Sequence, residues 1–350
     1  MDQPVTREGV GFPPPLANPR SPTVSVIIPT YNRAQYIGDA LGSVLRQTFT
    51  DFEVLIADDG STDGTTALLA GFTDLRVRVL RLEHRGISAT MNAGLREARG
   101  RFIARLDSDD LWYAELLAEE VKCLEASPDV GVVYSKAQAM SADGTPREHY
   151  LGLPMRYPDD SLLSLAWGDA TCNITILARR ACFDSAGPYD ETLRTHEDWD
   201  MWLRVAHQHR FAFLDQTLAQ FREHDDSITS PRVAGFVEHI EARRRVIDKL
   251  FSGADLPARL QSFKAIAYRN VHTEVGVFLL NTGHLGRALH SFLRAVTSGA
   301  NPFSASARIV WLTVLTPPLR RFAFGRRLLQ IQADVRRRLQ TRPTRAKSGA

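Results

Sequence analysis

Val24-Ser25-Val26-Ile27-Ile28, closed by Pro29-Thr30-Tyr31-Asn32, decides how the chain is read. A short, almost wholly apolar run without polar alternation suits a strand covered on both faces, and the proline ends its ladder. Helical spacing follows at once, with Ile37, Ala40, Leu41, Val44 and Leu45 on one face. Strand and helix then alternate. Residues 52–57, 77–82, 102–106 and 130–134 read as strands, and 88–98 and 113–126 as helices between them. Short turns between such units imply an α/β fold whose central sheet is mostly parallel, right-handed and doubly wound, with helices on its faces.

The rhythm changes after about residue 140. Residues 173–177 read as a strand, 198–206 as a helix, and 211–213 and 218–221 as two short strands. Beyond Pro231 the pattern is helical, interrupted at Pro257, Gly283, Pro302 and Pro317-Pro318. The expected division is a flexible, proline-rich leader over 1–22 without secretory-signal features, an α/β domain over 23–230, and a helical extension over 231–350 ending in a basic tail.

With 350 residues, 44% of them hydrophobic, the chain can bury a core without covalent staples. Its three cysteines, Cys123, Cys172 and Cys182, contain no CxxC pair, so neither a disulfide framework nor a zinc-thiolate cluster is expected. That usage fits a reducing, cytoplasmic setting. No apolar run reaches the roughly 20 residues that span a bilayer. Charge is unevenly spread: residues 320–350 hold ten basic side chains against Asp334, a net of +9, whereas the whole chain is +3. The body is therefore mildly acidic, and a nucleic-acid-binding role for the whole protein loses its main support.

Ligands of open parallel sheets bind beyond the carboxyl ends of the strands. Carboxylates gather at those ends here: Asp58 and Asp59 after the second strand, and Asp107, Asp109 and Asp110 after the fourth. Crowded carboxylates repel unless a cation or donor compensates, and oxygen ligands of this kind suit Mg²⁺ or Mn²⁺. Such an ion leaves positions for a diphosphate. Several other chemistries are excluded. There is no GxxxxGK[ST] or strand-linked GxGxxG, so a nucleoside triphosphatase or dinucleotide dehydrogenase lacks its cradle. An EF-hand starting at Asp59 would place Ala70 where a bidentate Glu is needed. His196-Glu197-Asp198-Trp199-Asp200 fails as HExxH at its last position.

Four segments, Val24 through Asn32, Asp58-Asp59-Gly60-Ser61-Thr62-Asp63, Leu106-Asp107-Ser108-Asp109-Asp110 and Glu197-Asp198-Trp199-Asp200, together resemble family 2 glycosyltransferases. The likeness covers about residues 22–230. It implies a GT-A fold and an inverting transfer from a nucleotide-sugar, most often UDP-linked, with a divalent metal, Mn²⁺ or Mg²⁺. Carried onto this sequence, Pro29, Thr30 and Tyr31 line the nucleobase pocket, and Asp59 accepts a hydrogen bond from the base. Asp107 and Asp109 match the DxD motif, near the ribose or metal and on the metal respectively. His224 matches a late histidine beside the metal and diphosphate, and Asp198 the general base. Met91 stands before Asn92 where relatives carry Arg, so Arg85 is the candidate to supply that charge to the donor. For the acceptor, Trp199 beside the base, with Glu197, is the expected contact. Trp112 and Trp167 are further stacking candidates, and Trp202 is expected in the core.

The acceptor implied is a hydroxyl of a glycan or lipid-linked glycan, in polysaccharide biosynthesis. An apolar stretch followed by arginines, residues 309–345, suits peripheral contact with an anionic membrane. Two other functions compete: a nucleotidyltransferase making nucleotide-sugars, which lacks its expected triphosphate loop here, and a catalytically silent sugar-nucleotide-binding module, which ought to have lost Asp107, Asp109 or Asp198.

Overall fold

The computed structural model describes residues 21–227, 236–253 and 256–299. Its residues fall into two compact units, one running to Leu153 and resuming over Thr171–His224, the other comprising Pro154–Ala170 and the described residues from Asp225 onward. Residues 1–20 of the expected 1–22 leader, and the 309–345 stretch expected to contact a membrane, lie outside the described residues.

The first unit is built on a nine-stranded sheet. In chain order it holds β1 (Val24–Thr30), α1 (Ile37–Leu45), β2 (Phe52–Asp58), α2 (Thr65–Leu69), β3 (Val77–Arg81), α3 (Ile87–Glu97), β4 (Phe102–Arg105) and β5 (Leu111–Trp112). Then come α4 (Leu116–Ala126), β6 (Val130–Ser141) and β7 (Pro146–Leu151). The second unit contributes α5 (Ser161–Trp167), after which the chain returns with β8 (Leu177–Arg179), α6 (Arg180–Ala186), α7 (Glu197–Val205) and β9 (Arg210–Glu223).

Strand order is β3-β2-β1-β4-β8-β6-β9-β5, with β7 paired to β6. The first four strands are parallel, with Ile27 opposite both Leu55 and Arg105. This is the half that the strand–helix alternation foretells. Beyond β4 the sheet is mixed: β8 is antiparallel to β4 and β6, β9 runs parallel to β6, and β5 is antiparallel to β9. Two details of the later segment are corrected. Asn173–Thr175 forms a 3₁₀ turn rather than a strand, because Thr175 turns its hydroxyl onto the Ser135 and Cys172 carbonyls. The two short strands expected near 211 and 218 are one long strand, β9, whose register slips against β6 absorb the irregularity between them.

Every residue of β1 and β2 is buried, as a central strand under helices on both faces requires. Val24, Val26 and Ile28 of β1 and Phe52, Val54 and Ile56 of β2 join Ile37, Leu41 and Val44 of α1, Phe102 of β4 and Leu116 and Leu117 of α4 in one core. Each such aliphatic or aromatic side chain contributes about 1.5–3 kcal/mol by leaving water. The chain re-enters the sheet through Gly100, where a Cβ would lie 2.4 Å from the Ser25 nitrogen. Only glycine fits so close an approach.

Parallel strands put their carboxyl ends on one edge, so the loops after β1, β2 and β4 emerge side by side. Strand β5 completes that edge. Leu111 pairs with Gln220 in antiparallel register, so stepping back from Leu111 and forward from Gln220 brings Asp109 and Asp110 toward Arg222 and His224.

In the second unit, α8 (Phe236–Ser252), α9 (Ala258–Asn281) and α10 (Leu285–Thr297) accompany α5, and the helical character expected after Pro231 holds for the described residues. Trp167 packs with Tyr157 and Phe263, at 6.4 and 6.1 Å between ring centroids, with the Arg156 guanidinium 3.8 Å above its ring. It is thus part of that unit's packing. None of the described helices is long and apolar enough to cross a membrane.

Candidate active site

The loop after β2 is built by Asp58. Its carboxylate accepts the Ser61 N–H at 3.0 Å and the Thr66 hydroxyl at 3.1 Å, which folds the Asp-Gly-Ser-Thr turn onto α2. Gly60 sits at φ +77 with His84 and Leu82 backbone atoms 3.2 Å from where a Cβ would be, so the turn requires glycine. Asn32, itself at φ +52, joins this turn to the end of β1: its side-chain oxygen accepts the Thr62 N–H at 2.8 Å, and its own N–H reaches Ser61 Oγ at 2.9 Å.

Asp59 points the other way. Its two oxygens accept the backbone N–H groups of Arg85 and Gly86, each at 2.9 Å, and His84 Nδ1 lies 2.9 Å from Oδ2. His84 also stacks on Tyr31, with centroids 4.1 Å apart and planes within 22°. Pro29 and Thr30 are buried at the end of β1, whereas Tyr31 is 39% exposed and is the open member of the expected trio. Arg85 turns its guanidinium to Glu191 at 2.6 Å, so the side chain expected to reach the donor is held in an exposed ion pair.

The loop after β4 carries the acidic cluster. Arg105, only 8% exposed, donates from Nε to Asp107 Oδ1 at 2.7 Å and from Nη1 to Glu197 Oε1 at 3.2 Å. Asp109 Oδ2 lies 2.9 Å from His224 Nε2 and accepts Arg33 Nε at 3.3 Å. Burial alone would raise the Asp109 carboxyl, but the His224 hydrogen bond and the Arg33 charge outweigh it and hold it below the usual carboxylate range. Asp110 is pushed well above that range by burial and by the charges of Asp109 and Asp107. It accepts the Arg222 N–H at 2.7 Å, so it ties the loop to β9. The Arg222 side chain completes the tie, donating to the carbonyls of Asp109 and Ala142 at 2.8 Å each.

Helix α7 begins after His196, which takes φ +57 and provides no side-chain cap. Asp198 is half-buried in the first turn, and its Oδ1 accepts the adjacent Trp199 N–H at 2.7 Å. Glu197 is different. Burial, then the Asp198 charge, raise its carboxyl to about 7 despite the Arg105 contact.

Two residues expected at the acceptor are buried. Trp199 is fully buried, so its indole cannot offer a face to a sugar, and Glu197 is 5% exposed and turned onto Arg105. Successive helix residues are turned about 100° from one another, so Asp198 can stay half-buried while Glu197 and Trp199 on either side of it are buried. Trp112 is likewise interior, donating from Nε1 to the Ile174 carbonyl at 2.6 Å, and Trp202 is in the core as expected. Arg33, His84, Arg105 and Arg222 are site residues that the motifs do not announce. Only the position of Arg105 at the end of an apolar strand hints at a buried charge.

Among the described residues, no group of three or more His, Cys, Asp or Glu side chains is placed to hold a metal ion. What the edge offers is a facing pair, the Asp109 carboxylate and the His224 imidazole.

The sequence model for Glycosyl transferase family 2 matches residues 25–185. Over 215 residues the chain is 33% identical to TuaG of Bacillus subtilis (strain 168), a glycosyltransferase named for teichuronic acid biosynthesis, covering 60% of this chain and 82% of that one. The chain belongs to glycosyl transferase family 2. A second relative, the UDP-Glc:alpha-D-GlcNAc-diphosphoundecaprenol beta-1,3-glucosyltransferase WfgD of Escherichia coli, is 40% identical over 102 residues, 29% of this chain and 40% of that one. Among solved structures, S. aureus TarS 1–349 in complex with UDP-GlcNAc superposes with a TM-score of 0.59 at 20% identity, over 83% of this chain and 89% of that one. The fold is accordingly of the GT-A type, and as a family 2 member the protein is a glycosyltransferase.

Proposed function

We propose that this glycosyltransferase moves a sugar from a UDP-sugar to a hydroxyl of a glycan or lipid-linked glycan, inverting the anomeric centre, with Asp198 as general base and a divalent ion held by Asp109 and His224. The observation that carries this reading is the meeting of Asp109 and His224 at 2.9 Å on the edge where β1, β2 and β4 end. The relatives support the substrate classes: WfgD is named for a UDP-linked donor and a lipid-diphosphate acceptor, and TarS binds UDP-GlcNAc.

On this reading Tyr31 stacks on the base, and Asp59, fixed by two backbone N–H groups, has lone pairs left for the base's N–H. The Asp109 carboxylate is an oxygen ligand that would hold Mn²⁺ or Mg²⁺, with the His224 imidazole beside it suiting Mn²⁺ better than Mg²⁺. Such an ion, when bound, offsets the charge that grows on the departing diphosphate. Asp107, anchored by Arg105, faces the donor beside it. Asp198 takes the proton of the acceptor hydroxyl as that oxygen bonds to the anomeric carbon and the bond to diphosphate breaks. Its partial exposure in the first turn of α7 suits a base that an acceptor hydroxyl can reach. Family membership favours this reading over the nucleotidyltransferase and silent-module alternatives. The test is nucleotide release from a panel of UDP-, GDP- and dTDP-sugars with and without Mn²⁺. Release from UDP-sugars that needs the metal is expected; release of pyrophosphate from UTP and a sugar phosphate would replace the reading.

A further inference from the structure

Arg105 binds two carboxylates that are 90 residues apart in the chain, and both are adjacent to the proposed chemistry. Nε donates to Asp107 Oδ1 at 2.7 Å, within the acidic loop, and Nη1 to Glu197 Oε1 at 3.2 Å, at the first residue of α7. The side chain of Arg105 is 10% exposed and that of Glu197 is 7% exposed. Helix α7 takes this contact at its first residue. It starts from His196 in the left-handed region without a side-chain cap, and a non-glycine residue at positive φ persists only where its surroundings hold it. The residue after Glu197 is Asp198.

Buried ion pairs add little stability over an apolar pair of the same shape, whereas a guanidinium holds its donors in one rigid plane and can orient the carboxylates it meets. We infer that Arg105 is a positioning residue for transfer: it clamps the donor-side Asp107 and, through Glu197, sets where the Asp198 carboxylate stands relative to the donor. The inference deepens the reading given above and rests on it. Lysine cannot replace the clamp, because a single ammonium lacks the rigid fork that serves two carboxylates at once.

The experiment compares the full chain with its variants Glu197→Gln, Arg105→Lys, Arg105→Met, Arg105→Met/Glu197→Gln and Asp198→Ala. UDP release from UDP-glucose is followed into water and into a synthetic N-acetylglucosaminyl diphosphate lipid, and UDP affinity in Mn²⁺ is measured by calorimetry. Glu197→Gln keeps shape and loses charge. It is expected to lower kcat about 10–100-fold, as an ångström-scale displacement of a reacting group does, with UDP affinity changed by less than about threefold. Arg105→Lys should lower kcat similarly and also raise the donor KM, because Asp107 is released. The double variant should be no slower than Arg105→Met, since both changes remove one clamp. Should Arg105→Met fail to fold, Glu197→Gln and Arg105→Lys still decide. Near-normal kcat in Glu197→Gln, or losses in kcat that match the unfolded fraction by circular dichroism, would overturn the clamp. If the wild type releases no nucleotide from UDP-glucose or from the panel of UDP-, GDP- and dTDP-sugars, or Asp198→Ala stays active, the underlying functional reading has failed, and the clamp with it; a working wild type with indifferent Arg105 and Glu197 variants removes the clamp alone.

Discussion

Asp109 and His224 are 115 residues apart in the chain and 2.9 Å apart in the fold. The antiparallel pairing of β5 with β9 brings them together, and the Arg222 side chain locks the arrangement through the Asp109 carbonyl. One carboxylate therefore receives an imidazole, a guanidinium from Arg33 and, on the proposed reading, a metal ion in their company. Several acids share the edge because each has its own donors: Arg105 for Asp107, His224 and Arg33 for Asp109, and backbone N–H groups for Asp58, Asp59 and Asp110.

Replacing Asp198 by Ala should abolish most transfer while leaving UDP binding close to that of the wild type. Positioned general-base catalysis is worth about 10²–10⁴-fold, and a loss of that size in kcat is expected. Single-turnover transfer set against calorimetric UDP affinity separates the two; near-normal kcat would remove Asp198 as the base.

Glu197 predicts a pH dependence of stability. Its carboxyl is raised from about 4.5 in the unfolded chain to about 7 in the folded one, by burial first and the Asp198 charge second. The folded state therefore prefers the protonated form, so the stabilising contribution is complete below about pH 4.5 and is lost as pH rises through 7. Glu197→Gln lacks this loss. Melting temperatures of wild type and Glu197→Gln should draw together at pH 5 and separate above pH 7 with the variant the more stable; a constant difference from pH 5 to 8.5 would contradict the assignment.

Trp199→Ala should behave as a core mutation. A fully buried indole leaves a cavity that costs about 3–5 kcal/mol, whatever the acceptor. Chemical denaturation measures it, and a variant of normal stability with weakened acceptor binding would restore Trp199 to the acceptor site.

Tyr31→Ala should weaken UDP binding by about 1–3 kcal/mol, the usual worth of one aromatic stacked on a base. His84 already covers one face of the ring at 4.1 Å, so the base takes the other face or displaces the imidazole. Unchanged affinity in the variant would place the base elsewhere.

The parallel half of the fold was legible because β1, β2 and β4 are apolar runs separated by amphipathic helices, and that spacing is local information. The mixed half was not, since β8 and β9 owe their pairing to partners 40 or more residues away and carry no alternation of their own. For the site, carboxylates after apolar strands pointed to the correct edge. Burial was the part that the sequence hides: Glu197 and Trp199 flank Asp198 in a polar-looking motif, yet only the helix phase shows that they face inward. The organising arginines, Arg33, Arg105 and Arg222, had no motif because their roles come from what they reach, not from their neighbours.

The most direct test is calorimetric titration of UDP into the full chain in Mn²⁺ and in EDTA, repeated with Asp109→Ala and His224→Asn. Tight binding in Mn²⁺ that is lost in EDTA and in both variants is the predicted result. Equal affinity in Mn²⁺ and EDTA, unaffected by either substitution, would contradict a metal-assisted nucleotide-sugar site on this sheet edge.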